Sequence, residues 1–177
     1  MVHFVGAGSG AADLITVRGM KLLGEADVII YAGSLVNPQL LDYKKEECAV
    51  YNSAEMTLEE VIDVIVKTEA AGQMTVRLHT GDPCLYGAIR EQMDILDEKG
   101  ISYDVCPGVS SFSGAAAALN LEYTLPNVSQ SVIITRMAGR TPVPEREEIA
   151  SFAAHHATMV IFLSTGMLEK LSQRLIE

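Results

Sequence analysis

Thr80-Gly81-Asp82-Pro83-Cys84-Leu85-Tyr86-Gly87 carries more usable chemistry than any other stretch of this sequence. A strand-like run, Met74–His79, leads into it, and a helix-like run, Ala88–Glu98, leads out. A glycine, an acid and a proline at such a junction make a tight, polar turn. At the carboxyl edge of an open α/β sheet, that turn offers backbone groups and one carboxylate to a small molecule. Asp82 before Pro83 is also a common turn former or helix cap, and alone it decides nothing. What points to a ligand is convergence. Glycine- or serine-rich turns at 6–10, 33–34, 80–82 and 107–111 all follow strand-like runs, so in a parallel sheet they share one edge.

Other residue patterns narrow the chemistry. Gly6-Ala7-Gly8-Ser9-Gly10-Ala11 fits the G-x-G-x-x-[GA] dinucleotide fingerprint, but the second strand ends Ile30-Tyr31-Ala32-Gly33 without the acid that would hold a ribose hydroxyl. Without that acid, a tight turn that only permits close packing is the better reading than a nicotinamide or flavin site. Arg136 and Arg140, after the fifth strand-like run, suit bidentate capture of carboxylates, or are a solvated loop. His155 and His156 have no partner at metal-ligand spacing, and no metal site is expected. His79 reads as a satisfied strand histidine, and Cys84 has no neighbouring base to make it a nucleophile. With no Ser–His–Asp signature and no phosphate loop, the chain is built to bind and orient rather than to attack.

The elements that must position these residues follow from periodicity. Val2–Gly6, Ala26–Tyr31, Met74–His79 and Ile101–Cys106 read as strands, with intervening helices. One helix starts at an N-cap, Thr16, and runs through Leu23 to a stop at Gly24. A second opens on the capping box Thr57-Leu58-Glu59-Glu60 and stops at Gly72. This alternation predicts an α/β fold with a mostly parallel sheet over residues 1–120. Leu121–Gln130 reads as a connection. A second α/β unit, 121–177, follows with Ser131–Thr135 as strand, Pro144–Ala154 as helix, Thr158–Leu163 as strand and an amphipathic helix, Leu168–Ile176. Two strands rarely form an independent sheet, so the second domain is expected to be truncated.

Composition sets outer limits. The net charge of −10 argues against nucleic acid as a partner. No apolar run is long enough to span a membrane, and the opening residues read as a strand, not a signal peptide. The three cysteines lack CxxC spacing and fit reduced thiols in the cytoplasm. A non-catalytic nucleotide-binding module and a nicotinamide-dependent oxidoreductase both remain open at this level.

Taken together, the motifs resemble those of the tetrapyrrole (precorrin) methyltransferases of cobalamin biosynthesis. The landmarks are Val5-Gly6-Ala7-Gly8-Ser9-Gly10 with Asp13-Leu14-Ile15-Thr16, the Gly81-Asp82-Pro83 loop with Tyr86-Gly87, and Pro107-Gly108-Val109-Ser110-Ser111. Tyr31-Ala32-Gly33-Ser34-Leu35-Val36 and Thr135–Pro142 are similar to the branch that methylates C11 of precorrin-4 or cobalt-precorrin-4. The resemblance implies a two-domain α/β homodimer with S-adenosylmethionine in the cleft between domains, released as S-adenosylhomocysteine, and an anionic tetrapyrrole substrate. It implies Thr80, Gly81, Asp82, Leu85, Ser110, Ser111 and Leu163 as cofactor-binding residues, with Asp82 the candidate orienting residue. It places Gly8, Ser9, Tyr31, Gly33, Ser34, Arg136 and Arg140 toward the tetrapyrrole. The family usually carries proline where this chain has Ser9, and its members continue past residue 177.

Overall fold

The computed structural model describes residues 1–176 and divides the chain into two compact units, 1–115 and 116–177. The first unit is a five-stranded sheet in the order β3-β2-β4-β1-β5. Its strands are β1 (Val2–Gly6), β2 (Val28–Tyr31), β3 (Ala49–Asn52), β4 (Thr75–His79) and β5 (Tyr103–Cys106), and every pairing is parallel. The helices are α1 (Val17–Glu25), α2 (Leu58–Ala70), α3 (Arg90–Glu98) and α4 (Ser111–Leu119). The division between units falls inside α4, upstream of the expected 120/121 boundary.

Strand alternation sorts the core into two layers. Val5, Ala7, Ile29, Val76, Leu78 and Cys106 face one side and pack with Leu23 of α1 and Leu40. Val2, Phe4, Val28 and Ile30 face the other and pack with Val61, Ile62 and Ile65 of α2 and Leu96 of α3. The α2 start is a closed capping box, with the Glu60 N–H donating to Thr57 Oγ1 at 3.2 Å and the Thr57 N–H to Glu60 Oε2 at 2.8 Å. Thr16 caps α1 by accepting from the Gly19 N–H at 3.0 Å.

The strand order fixes where a ligand can sit. From β1 the chain crosses α1 toward β2 on one side of the sheet, whereas from β4 it crosses α3 toward β5 in the opposite direction. The loops after the adjacent strands β1 and β4 therefore leave toward opposite faces of the sheet, which makes their carboxyl ends a topological switch point, the place where open α/β sheets take their ligands.

Four local expectations are corrected. β3 is an additional strand; at four residues, on the sheet edge with alternate residues exposed, it has too little apolar character to stand out. α1 continues through Gly24 to Glu25, because the Ala26 N–H still reaches the Leu22 carbonyl. α3 begins at Arg90 rather than Ala88, whose φ of +51° is left-handed. The helix expected at Pro144–Ala154 is broken by the extended Glu148 into a 3-10 turn, Glu145–Glu147, and a short α5 (Ile149–Ala153).

The second unit pairs β6 (Val132–Arg136) with β7 (Thr158–Phe162) in parallel and adds α5 and α6 (Leu168–Ile176). Ser129 Oγ accepts from the Thr158 N–H at 3.0 Å, fixing where β7 starts. Arg174 of α6 holds Glu148 before α5 through contacts of 2.6 and 2.5 Å to its two carboxylate oxygens.

Candidate functional site

The ends of β4, β1 and β5 meet through three glycines. A Cβ on Gly108 would lie 2.1 Å from the Gly81 carbonyl oxygen and 2.8 Å from Gly6 Cα. One on Gly6 would lie 2.5 Å from Gly108 Cα. These turns touch backbone to backbone, which only glycine allows. Reciprocal bonds add to the stitching: the Gly8 N–H donates to the Gly81 carbonyl at 3.2 Å, and the Gly81 N–H to the Gly8 carbonyl at 2.9 Å. Gly8 and Gly81 adopt φ of +81° and +59°, which makes that exchange possible.

Asp82 is the clamp across this junction. Its Oδ1 accepts from the Cys84 N–H at 2.8 Å, closing an Asx turn, and its Oδ2 accepts from the Gly108 N–H at 3.2 Å. The carboxylate thus ties the loop after β4 to the loop after β5. Beyond it, Tyr86 and Ala88 both take positive φ, and Gly87 presses on Pro83, where a Cβ would come within 2.2 Å of the Pro83 oxygen. Two left-handed non-glycine residues in one loop store strain of about 1–3 kcal/mol each, the kind that clusters at ligand sites.

Around the clamp, polar backbone is left available. Among the described residues no acceptor meets the N–H groups of Thr80, Asp82 and Ser111. Ser110 is buried and Ser111 exposed at the first turn of α4, whose amino-terminal N–H groups favour anionic or oxygen-rich partners. Leu85, in the loop after β4, is half-buried, and its N–H donates to the Asp82 carbonyl at 3.1 Å. Burial, reinforced by the Asp82 carboxylate, pushes the Cys84 thiol up, the reverse of nucleophile activation. No group of metal-ligating side chains exists among the described residues.

The turn after β2 joins the same edge. Gly33 is buried with φ of +71°, and a Cβ there would sit 3.0 Å from Ala54 Cβ; Tyr31 is half-buried, while Ser34 and Leu35 are exposed. Asn37 Nδ2 donates to the Gly10 carbonyl at 2.8 Å, linking the turns after β1 and β2. Ser9 packs against Gly114 of α4, and its Oγ is buried with no partner among the described residues. The structure therefore brings Gly8, Ser9, Tyr31, Gly33, Ser34, Thr80, Gly81, Asp82, Leu85, Ser110 and Ser111 to one sheet edge. In the second unit, Arg136 ends β6 and Leu163 follows β7, at the same end of that parallel pair. Arg136 is engaged locally, donating to the carbonyls of Met137, Thr141 and Pro142 at 3.3, 3.1 and 2.7 Å. Arg140 is exposed and without a partner among the described residues, and Leu163 is exposed with φ of +56°.

Sequence reasoning missed Asn37, Ser53, Arg77 and Gln92, and misjudged His79. Arg77 and His79 alternate with Val76 and Leu78, so β4 puts a cation and an imidazole into the layer under α2 and α3. Burial pulls Arg77 down to about 10, so it stays charged at neutral pH. His79 is buried with Nε2 unpartnered, rather than satisfied, and its ring centroid lies 6.0 Å from that of Phe4. Burial first, and the Arg77 charge second, lower its pKa from 6.5 to about 3. Folded protein therefore keeps His79 neutral where the unfolded chain takes a proton. Its stabilising contribution is fully present above pH 6.5 and is lost as pH falls toward 3, at up to about 1.4 kcal/mol per unit. Urea unfolding between about pH 7.5 and about pH 5 should show that slope, and His79→Gln should remove it; identical slopes would refute the assignment.

Comparison with known proteins places this geometry. The model for the family Tetrapyrrole (Corrin/Porphyrin) Methylases matches residues 1–177. A cobalt-precorrin-4 C(11)-methyltransferase of Methanocaldococcus jannaschii is 56% identical over 176 residues, spanning 99% of this chain and 68% of that protein. The solved structure of a cobalamin biosynthetic enzyme, cobalt precorrin-4 methyltransferase, superposes with a TM-score of 0.95 at 45% identity, covering 99% of this chain and 73% of the other. A uroporphyrin-III C-methyl transferase from Thermus thermophilus, complexed with S-adenyl homocysteine, gives a TM-score of 0.77 at 25% identity, covering 99% of this chain and 71% of the other.

Proposed function

Because the chain belongs to the tetrapyrrole (corrin/porphyrin) methylase family, we propose that it transfers a methyl group from S-adenosylmethionine to C11 of precorrin-4 or cobalt-precorrin-4 in cobalamin biosynthesis. The observation that carries this reading is the glycine-stitched junction of β4, β1 and β5 at the switch point, in a chain matched end to end by the family. Neither a purely regulatory nucleotide module nor a nicotinamide oxidoreductase finds support in the matches.

The residues present fit the cofactor. The unmet N–H groups of Thr80, Asp82 and Ser111, with the Ser110 and Ser111 hydroxyls, suit the carboxylate and hydroxyl oxygens of an amino acid joined to a nucleoside. Thr80, Gly81, Asp82, Leu85, Ser110 and Ser111 hold it in this reading; Leu163 is assigned to the cofactor on the family resemblance alone. When bound, S-adenosylmethionine supplies a methyl group on a positively charged sulfur, an electrophile that an electron-rich ring carbon can attack directly. The protein's share is alignment, which the interlocked turns provide by leaving little freedom in the groups that grip the ligand. On the family resemblance, Gly8, Ser9, Tyr31, Gly33 and Ser34 are assigned to the macrocycle and Arg136 and Arg140 to its carboxylates; Arg136 is engaged by the carbonyls of Thr141 and Pro142, and Arg140 has no partner among the described residues. A homodimer and a cytoplasmic location belong to the same proposal, on the family resemblance; no helix among the described residues is long and apolar enough to cross a membrane.

Calorimetric titration with S-adenosylhomocysteine and with NAD, followed by methyl-transfer assays on precorrin-4 and its cobalt form, tests the reading. Binding of S-adenosylhomocysteine alone, with methylation at C11, is expected. Binding of NAD in its place, or transfer to neither ring, would overturn it.

A further inference from the structure

Arg77 is 6% exposed and has no carboxylate partner, an unfavourable placement for a cation unless the guanidinium is fully used. Its Nη1 donates to the Ile30 carbonyl at 3.0 Å and its Nη2 to Ser53 Oγ at 3.0 Å. Its Nε donates to Gln92 Oε1 at 3.1 Å. The Ile30 carbonyl belongs to β2 itself, and the two side-chain acceptors lead on to different turns. Ser53 Oγ donates to the Tyr31 carbonyl at 3.0 Å, and the neighbouring Ala54 packs under Gly33. Gln92 Nε2 donates to the Ala88 carbonyl at 3.2 Å, at the end of the strained loop that begins at Thr80.

We propose that Arg77 and Gln92 form a buried bridge that positions the turn at 31–36 and the loop at 80–88 in one register, with Ser53 as the arm toward the first and Gln92 as the arm toward the second. Resting on the methyltransferase reading, the bridge sets the macrocycle-facing turn against the cofactor loop, so the ring carbon and the methyl group meet at a fixed separation. The planar guanidinium is suited to this because its donors are spread over three nitrogens in one rigid plane, a span that the single nitrogen of an ammonium cannot cover.

Hydrogen exchange separates the two arms without requiring turnover. The Ala32 N–H, bonded to the Leu78 carbonyl at 3.0 Å, and the Val36 N–H, bonded to the Gly33 carbonyl at 3.2 Å, report on the turn. The Leu85 N–H, bonded to the Asp82 carbonyl at 3.1 Å, reports on the loop. Ser53→Ala should speed exchange at Ala32 and Val36 about tenfold, with Leu85 unchanged, and Ser53→Thr should restore protection. Gln92→Leu should speed Leu85 instead. With substrate, Ser53→Ala should raise KM for the tetrapyrrole about fivefold while leaving S-adenosylhomocysteine affinity within twofold. Exchange that is unchanged in both variants, or raised uniformly through the sheet, would overturn the bridge. A wild-type protein that transfers no methyl group would overturn the functional reading instead, and the exchange pattern would still decide the bridge.

Discussion

Gly108→Ala is expected to destabilise the protein by about 3 kcal/mol and to weaken S-adenosylhomocysteine binding beyond detection. The obstruction is backbone rather than a side chain that could rotate away, with Gly81 oxygen at 2.1 Å and Gly6 Cα at 2.8 Å from the new Cβ. Relief must come from parting the turns after β4, β1 and β5, and that breaks the Asp82–Gly108 contact and the Gly8–Gly81 exchange together. For a chain of this size the melting temperature should fall by roughly 6–12 °C. Gly166→Ala is the matched control, since a Cβ there meets nothing within 4 Å, and it should shift stability by less than about 0.5 kcal/mol. A Gly108→Ala protein with the melting point and affinity of the wild type would refute the interlocked junction.

That junction was half legible in the sequence. Four glycine- or serine-rich turns after strand-like runs place themselves on one edge as soon as the sheet is parallel, because every strand then ends on the same side. The pairwise glycine contacts were not legible, since they depend on strand order, and nothing local states that β1 lies between β4 and β5. The same limit hid the Arg77 bridge. Arg77 within Thr75-Val76-Arg77-Leu78-His79 looks like a solvated residue of an amphipathic strand, and only α2 and α3 covering that face turn it into a buried cation. Strong local signals carried over: the Thr57–Glu60 capping box and the Thr16 cap both form, because each closes within one helical turn and needs no tertiary partner. Boundaries failed where tertiary contacts outweighed propensity, as at Ala88, whose left-handed φ belongs to the loop whose carbonyl Gln92 holds.

Asp82→Ala should lower S-adenosylhomocysteine affinity about a hundredfold, equivalent to about 2.7 kcal/mol. The carboxylate's two oxygens are taken by the N–H groups of Cys84 and Gly108, and bonds to a charged acceptor contribute about 1.5–3 kcal/mol each. Removing both frees the two loops that carry Thr80, Gly81, Leu85, Ser110 and Ser111, so the ordering cost moves from folding to ligand binding. Asp82→Asn discriminates this role from a chemical one. An amide keeps one oxygen acceptor but presents an NH₂ where the second acceptor was, so one of the two bonds survives. Positioning therefore predicts a graded series: affinity highest in wild type, about tenfold weaker in Asn, and about a hundredfold weaker in Ala, with kcat falling less than affinity. A carboxylate acting as a base at the macrocycle predicts a different pattern. There Asn and Ala would lose kcat equally, affinity would stay near that of the wild type, and the acidic limb of the pH–rate profile would vanish in both. The graded series in affinity is the expected result, because neither carboxylate oxygen is left without a backbone donor to hold.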